Sequence, residues 1–240
     1  MPGLGTLINV ALIIAGGTAG LIGGQFITTR VQDALLKASA LCVLFIGLSG
    51  ALEKMLVFDN GKLTSTGSTM IIVSFAAGAL MGEALNLERH MERIGEWLRD
   101  RFANGAEGGF VDAFVTTSLT VCIGAMAIVG SIQDGILGDW STLALKGALD
   151  CIIVCAMTAS MGRGAIFSAL PVGVFQGTIT LLARFIQPIM TAEALDNLSL
   201  VGSMLIFCVG VNLIWGRTFK TANLLPAVVV AVVWALVCGA

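Results

Sequence analysis

Leu4-Gly-Thr-Leu-Ile-Asn-Val-Ala-Leu-Ile-Ile-Ala-Gly-Gly-Thr-Ala-Gly-Leu-Ile-Gly-Gly24 runs for 21 residues without a charge. A helix rises about 1.5 Å per residue, so this run covers roughly the 30 Å hydrocarbon thickness of a bilayer. The residues ahead of it, Met1-Pro-Gly3, carry no Lys or Arg. The run therefore lacks the positive flank of a cleavable secretory signal and reads as a mature membrane helix.

Comparable runs recur outward from it, at 35–52, 67–86, 110–131, 141–160, 165–187, 198–215 and 222–239. They make eight spans in an all-α, polytopic transmembrane helical bundle forming one domain over 1–240. Seven is the alternative count, because only Met161-Gly-Arg-Gly164 separates the fifth and sixth runs, which can form one bent hairpin or a re-entrant element. Hydrophobic residues make up 57% of the 240 residues and charged ones 12%, against about 25% charged in an average soluble domain. A soluble fold could not keep so much apolar surface from water, and the lipid bilayer is the partner that removes the conflict. The net charge of −2 offers no basis for nucleic-acid binding. The six cysteines, at 42, 122, 151, 155, 208 and 238, all fall in apolar segments and form no CxxC pair. They read as small apolar side chains, not as disulfides or a metal site.

Orientation follows from Lys and Arg in the short loops. With the N-terminus outside, the inner loops hold Arg30, Lys37, Arg89, Arg93, Arg99, Arg101, Arg163, Arg217 and Lys220, and the outer loops hold Lys54, Lys62, Lys146 and Arg184. The bias of nine to four places both termini outside. Residues 87–109 form the longest polar stretch. In it Leu87, Met91, Ile94, Leu98 and Phe102 recur at helical spacing among charges, which predicts an amphipathic connector lying on the inner membrane surface. Its lone His90 reads as solvated.

A shift of 80 residues aligns 42–84 with 122–164 at ten identical positions, among them Cys42/Cys122, Gly50/Gly130, Asp59/Asp139, Ala79/Ala159 and Gly82/Gly162. The match suggests an internal repeat of helix hairpins, an arrangement common in transporters. Phe207-Cys208-Val-Gly210 resembles Val121-Cys122-Ile-Gly124 as a third, weaker copy.

Several features can carry function. Gly16, Gly20 and Gly24 give the first span a smooth face for close helix packing, within one subunit or between copies in a homo-oligomer. Lys146 and Asp150 stand four apart on one helix face and can neutralise each other. Gln133 and Asp134 lie in Gly130-Ser-Ile-Gln-Asp-Gly135, whose glycines suggest an irregular turn near the outer interface. In the sixth span Pro171, Gly173 and Gly177 weaken the helix and predict a kink or break, with Ser168 and Gln176 beside it. Asn9, Glu83 and Asn212 read by default as interhelical hydrogen-bond partners. The expected site is where the broken stretch from Ser168 to Gly177 meets the outer ends of the fourth and fifth spans. It would take a small ion or polar solute. No P-loop, dinucleotide fingerprint, GxSxG or HExxH is present, so neither an enzyme nor a cofactor is expected.

Leu4-Gly-Thr-Leu-Ile-Asn9, the stretch from Phe114 to Gly135, Lys146 to Asp150, Pro171 to Gly177 and Asn223-Leu-Leu-Pro226 together resemble the domain-of-unknown-function 554 membrane proteins of prokaryotes. The resemblance covers nearly the whole chain. It implies a multi-pass protein of the prokaryotic cytoplasmic (inner) membrane and carries over no activity and no functional residues. The residues themselves support a small transporter or channel for an ion or polar solute. The alternative is a non-transporting scaffold or regulator acting through the 87–109 helix.

Overall fold

The computed structural model describes residues 2–26, 28–59, 61–102, 109–122 and 125–238. The chain is a helical membrane bundle. Among the described residues, seven helical stretches are long and apolar enough to cross a bilayer: α1 (Leu4–Gly24), α2 (Thr29–Met55), α3 (Ser68–Leu85), α7 (Ser141–Met161), Arg163–Leu181, α10 (Ala192–Trp215) and Thr221–Cys238. The eighth expected span, 110–131, is two helices. These are α5 (Phe110–Cys122) and α6 (Ala125–Leu137), bent by 64°. Each has 13 residues, about 20 Å of helix, and so is too short to cross alone. Residues 123–124 between them, residues 103–108 of the expected connector and residue 239 of the 222–239 span lie outside the described residues.

The remaining elements are short. Leu56–Asp59 (β1) and Lys62–Ser65 (β2) pair antiparallel between α2 and α3, with Val57 opposite Thr64. The Asn60-Gly61 dipeptide between alternating residues was a hairpin signal in the sequence; no strand was expected there. The amphipathic helix α4 (Leu87–Phe102) follows α3. A 3-10 turn, Arg163–Ser168, precedes α8 (Ala169–Leu181), and a second, Thr221–Leu224, precedes α11 (Pro226–Cys238); α9 (Ala183–Ile186) is a single turn.

The predicted kink at Pro171 is absent. The interruption lies earlier, at the junction of the 3-10 turn and α8, and α8 runs unbroken through Gly173 and Gly177. Pro171 sits in the first turn, where a missing N–H costs nothing because no carbonyl precedes it in the helix. The irregular turn expected at Gly130–Gly135 is also absent, for both glycines are inside α6. A Cβ at Gly135 would press on Ala183 at 2.7 Å and one at Gly130 on Leu143 at 2.8 Å, so they serve packing.

Glycine also decides which helices pair. Gly16, Gly20 and Gly24 lie against the main chain of Cys151, Cys155 and Ala159 on α7, which runs parallel to α1. Of the two readings of this face, packing within one subunit is the one found, because all three are buried inside one chain. Gly47 of α2 and Gly210 of α10 bring those two helices together antiparallel, and Gly78 and Gly82 of α3 meet Ala227 and Asn223. Two hairpins, α7–α8 and α10–α11, share a local device. Each long helix stops at a glycine of positive φ, Gly162 at 98° or Gly216 at 79°. An arginine, a 3-10 turn and a Leu-Pro pair follow. The register found in the sequence fares less well through its middle. It sets the β-hairpin opposite the end of α6 and the start of α7.

At one end of the bundle α4 docks on the protein. Its buried face is Gly95 and Leu98, with half-buried Glu88 and Met91, while Ile94 and Phe102 of the expected stripe, and Trp97 outside it, are exposed. Gly95 packs on Phe114 and Val111 of α5, and Phe102 meets Phe167 at 5.2 Å between ring centroids.

Candidate functional site

Three spans bury amide, hydroxyl or charged side chains, in the first half of α1 and of α7 and the second half of the span ending in α8, and α5 ends against them. On α1, Asn9 is wholly buried. Its Nδ2 donates to Gln176 Oε1 of α8 at 3.2 Å. Its amide also lies against the Asp150 carboxylate of α7. Lys146, one turn before Asp150, forms an ion pair with it, both side chains being under one tenth exposed (8% and 6%). The Lys146 Nζ also donates to the Val121 carbonyl at 2.7 Å. Val121 is in the last turn of α5, where carbonyls have no partner further along their own helix. The bend between α5 and α6 thus supplies an acceptor, and the ammonium satisfies it at the negative end of a helix.

A polar track leads from this cluster toward the end of the bundle that carries the β-hairpin. One turn along α1 from Asn9, the Gly5 N–H donates to Asp134 Oδ2 of α6 at 3.0 Å, and the hydroxyls of Thr6 and Thr180 meet at 3.5 Å. Several buried polar atoms in these helices have no partner: Asn9 Oδ1, Gln176 Nε2, Asp134 Oδ1 and the Ser131 hydroxyl. In the opposite direction the track stops. One turn from Asn9, Asp150 and Gln176 lie Ile13, Val154 and Val172, which pack with Val121 into a fully apolar layer.

Beyond that layer, at the α4 end, a cavity of about 230 Å³ is lined by Glu88, Asp112, Thr116, Asn212, Arg217 and Thr221, among others. Arg217 pairs with Glu92 of α4 and Asp112 of α5, tying the lid-like helix to the bundle. Burial pushes the Glu88 carboxyl above its ordinary value, against the opposing pull of the Ala222 N–H and Arg217. Hydrogen bonding to Arg217 holds Glu92 below the usual carboxylate range. The start of α4 and the 3-10 turn Thr221–Leu224 meet reciprocally here. Asn223 Oδ1 accepts from the Glu88 N–H at 2.6 Å, and Glu88 Oε2 accepts from the Ala222 N–H at 2.9 Å. Asn223 therefore caps the start of α4 across the fold, as an N-cap side chain does locally. A second cavity, about 330 Å³ and mostly apolar, lies beside the cluster against Ser118, Cys122, Pro171 and Phe175.

Of the residues singled out in the sequence, Lys146, Asp150 and Gln176 come together, and Asp134 joins them through α1. Gln133 does not; it is half-buried and accepts from the Thr142 hydroxyl at 2.7 Å. Ser168 is buried but stands two turns from Gln176, beyond the apolar layer. Asn9, ranked low in the sequence, is the hub. Its signal was a lone amide in the middle of an uncharged run. Among the described residues no three His, Cys, Asp or Glu side chains group to hold a metal.

A family model described as "Protein of unknown function (DUF554)" matches residues 4–236. The chain belongs to this family. The chain is similar to the "Uncharacterized membrane protein YdfK" of Bacillus subtilis, 28% identical over 94% of this chain and 93% of the relative. It is also similar to the "Uncharacterized protein YqgA" of Escherichia coli, 25% identical over 95% of this chain and 94% of that relative. No solved structure matches. The polar cluster of this DUF554 chain is thus read from its own geometry.

Proposed function

We propose that this protein is a small, non-enzymatic transporter for an ion or polar solute in the prokaryotic cytoplasmic membrane, with Asp150, Lys146, Asn9 and Gln176 as the binding centre. The observation that carries the reading is the Lys146–Asp150 pair, buried at the end of an interrupted helix among polar atoms that lack partners. Charge in hydrocarbon is costly and marks pathways or relays by default. Interrupted helices are where transporters expose backbone groups to substrate. The polar track on one side and the apolar layer on the other describe a site closed toward α4. The charge bias among the loops supports an inner location for α4 and the 230 Å³ cavity. Opening would then require the apolar layer to part and α4 to lift from Arg217.

A second reading, a regulator working through α4, is favoured by one observation: Ile94 and Trp97 remain exposed, at 43% and 62%, on a helix otherwise held to the bundle. One experiment separates the two. Purified protein in liposomes is screened for uptake of monovalent cations, amino acids and other small polar solutes, with Gln176→Leu as the comparison. Uptake by the wild type that falls at least tenfold in the folded variant supports transport. Absence of uptake for every solute class, or uptake unchanged by Gln176→Leu, removes the reading.

A further inference from the structure

The Lys146 ammonium sits between two oxygens. It donates to the Asp150 carboxylate and to the Val121 carbonyl at 2.7 Å. The Asn9 amide lies against the same carboxylate, and Asn9 Oδ1, fully buried, has no partner. A carboxylate, a main-chain carbonyl at the negative end of a helix and an unused amide oxygen are the ligands that hard cations take. They are not specific to a lysine. The charge count is also informative, because Asp150 contributes one negative charge and the ammonium balances it with one positive charge. A monovalent ion in the same place would keep the cluster neutral, whereas a divalent ion would leave an uncompensated charge in a medium that penalises it. The occupant is tethered from the neighbouring turn of the same helix. It can therefore withdraw by rotating its own four-carbon stem, with no movement of α7.

We infer that the oxygens of Val121 and Asp150 form a monovalent-cation site of which the Lys146 ammonium is the resident, tethered occupant, with the Asn9 oxygen a further ligand that the ammonium leaves unused. The site accepts an alkali cation whenever the ammonium is absent or withdrawn. This deepens the transport reading by naming the ligand class, yet it concerns binding alone. Cation binding without flux would defeat transport and leave this inference standing.

The test uses the full chain in detergent at pH 8, with thermal unfolding followed in choline chloride and in lithium, sodium or potassium chloride at equal ionic strength. The wild type should melt at the same temperature in all four, since its site is occupied. Lys146→Ala should melt lower in choline, because removing one member of a buried pair strands the other. It should then be restored by at least one alkali cation along a saturating curve, as expected for a ligand bound only by the folded state. The double variant Lys146→Ala/Asp150→Asn should fold and show no cation dependence. The inference is overturned if Lys146→Ala has one melting temperature in every salt, or if it fails to fold in all of them while the double variant folds. The single variant is also heated in magnesium and calcium chloride at the same ionic strength, and the inference is equally overturned if either rescues it and no alkali cation does.

Discussion

Gly20 and Gly23 lie three residues apart in α1 and should respond oppositely to the same substitution. Replacing glycine by alanine inside a helix gains roughly 0.5–1 kcal/mol from reduced chain entropy in the unfolded state. At Gly23 nothing lies within 4 Å of where the methyl would be, so that gain stands. At Gly20 the methyl would come to 2.9 Å from the carbonyl carbon of Cys155 and 3.0 Å from its Cα, and closer still to the carbonyl oxygen. These are backbone atoms of α7, so relief requires the whole helix to shift. Overpacking of that kind costs about 1–3 kcal/mol, and the neighbouring contacts at Gly16 and Gly24 would be loosened too. The two variants should therefore differ by about 1–3 kcal/mol. At roughly 2–4 °C per kcal/mol for a chain of this size, that is a gap of about 2–12 °C in melting temperature. The assay heats detergent-solubilised protein and measures the fraction still eluting as a single peak by size-exclusion, with light scattering to give the mass. Gly20→Ala should lower the midpoint without changing the mass of the particle. Equal midpoints for the two variants would refute the packing argument. A fall in particle mass with an unchanged midpoint would show instead that the glycine face joins two copies.

Three further outcomes are expected. Because burial raises the Glu88 carboxyl above its ordinary value, the folded state holds that proton more tightly than the unfolded one. Its contribution is then fully present below the unfolded value and lost as pH rises through the folded value. Hydrogen-exchange protection of α4 should weaken across that window, and Glu88→Gln should flatten the dependence; a wild-type profile with no such slope would contradict the burial argument. Asn223→Ala removes the cap on the Glu88 N–H and should cost about 0.5–2 kcal/mol, read as earlier proteolysis within 87–102, and unchanged cleavage would count against a capping role. Reporter fusions within 87–102 should signal inside and fusions at Ala240, which lies outside the described residues, should signal outside. An inside signal at Ala240 would mean that α5 and α6 do not together make one crossing.

The sequence by itself determined the class of the molecule. Uncharged runs of about twenty residues have few ways to exist outside lipid, so the spans, their approximate limits and the helical character of 87–102 were legible from periodicity and length alone. It also determined the Lys146–Asp150 pair, since four residues on a helix is a local distance. The tertiary structure decided everything that depends on which helix faces which. Gly16, Gly20 and Gly24 announce a close approach but not the partner, because a smooth face fits any backbone; only the fold shows that α7 fills it. Pro171 looked like a break because proline disrupts helix interiors, and became harmless once the 3-10 turn ahead of it made it a helix start. Asn9 was one amide in an apolar run, with no local neighbour to give it meaning. Its contacts with Gln176 and Asp150 join residues 167 and 141 positions away along the chain. Such contacts leave no periodic trace in the sequence, because they are set by how whole helices pack and not by the spacing along any one of them.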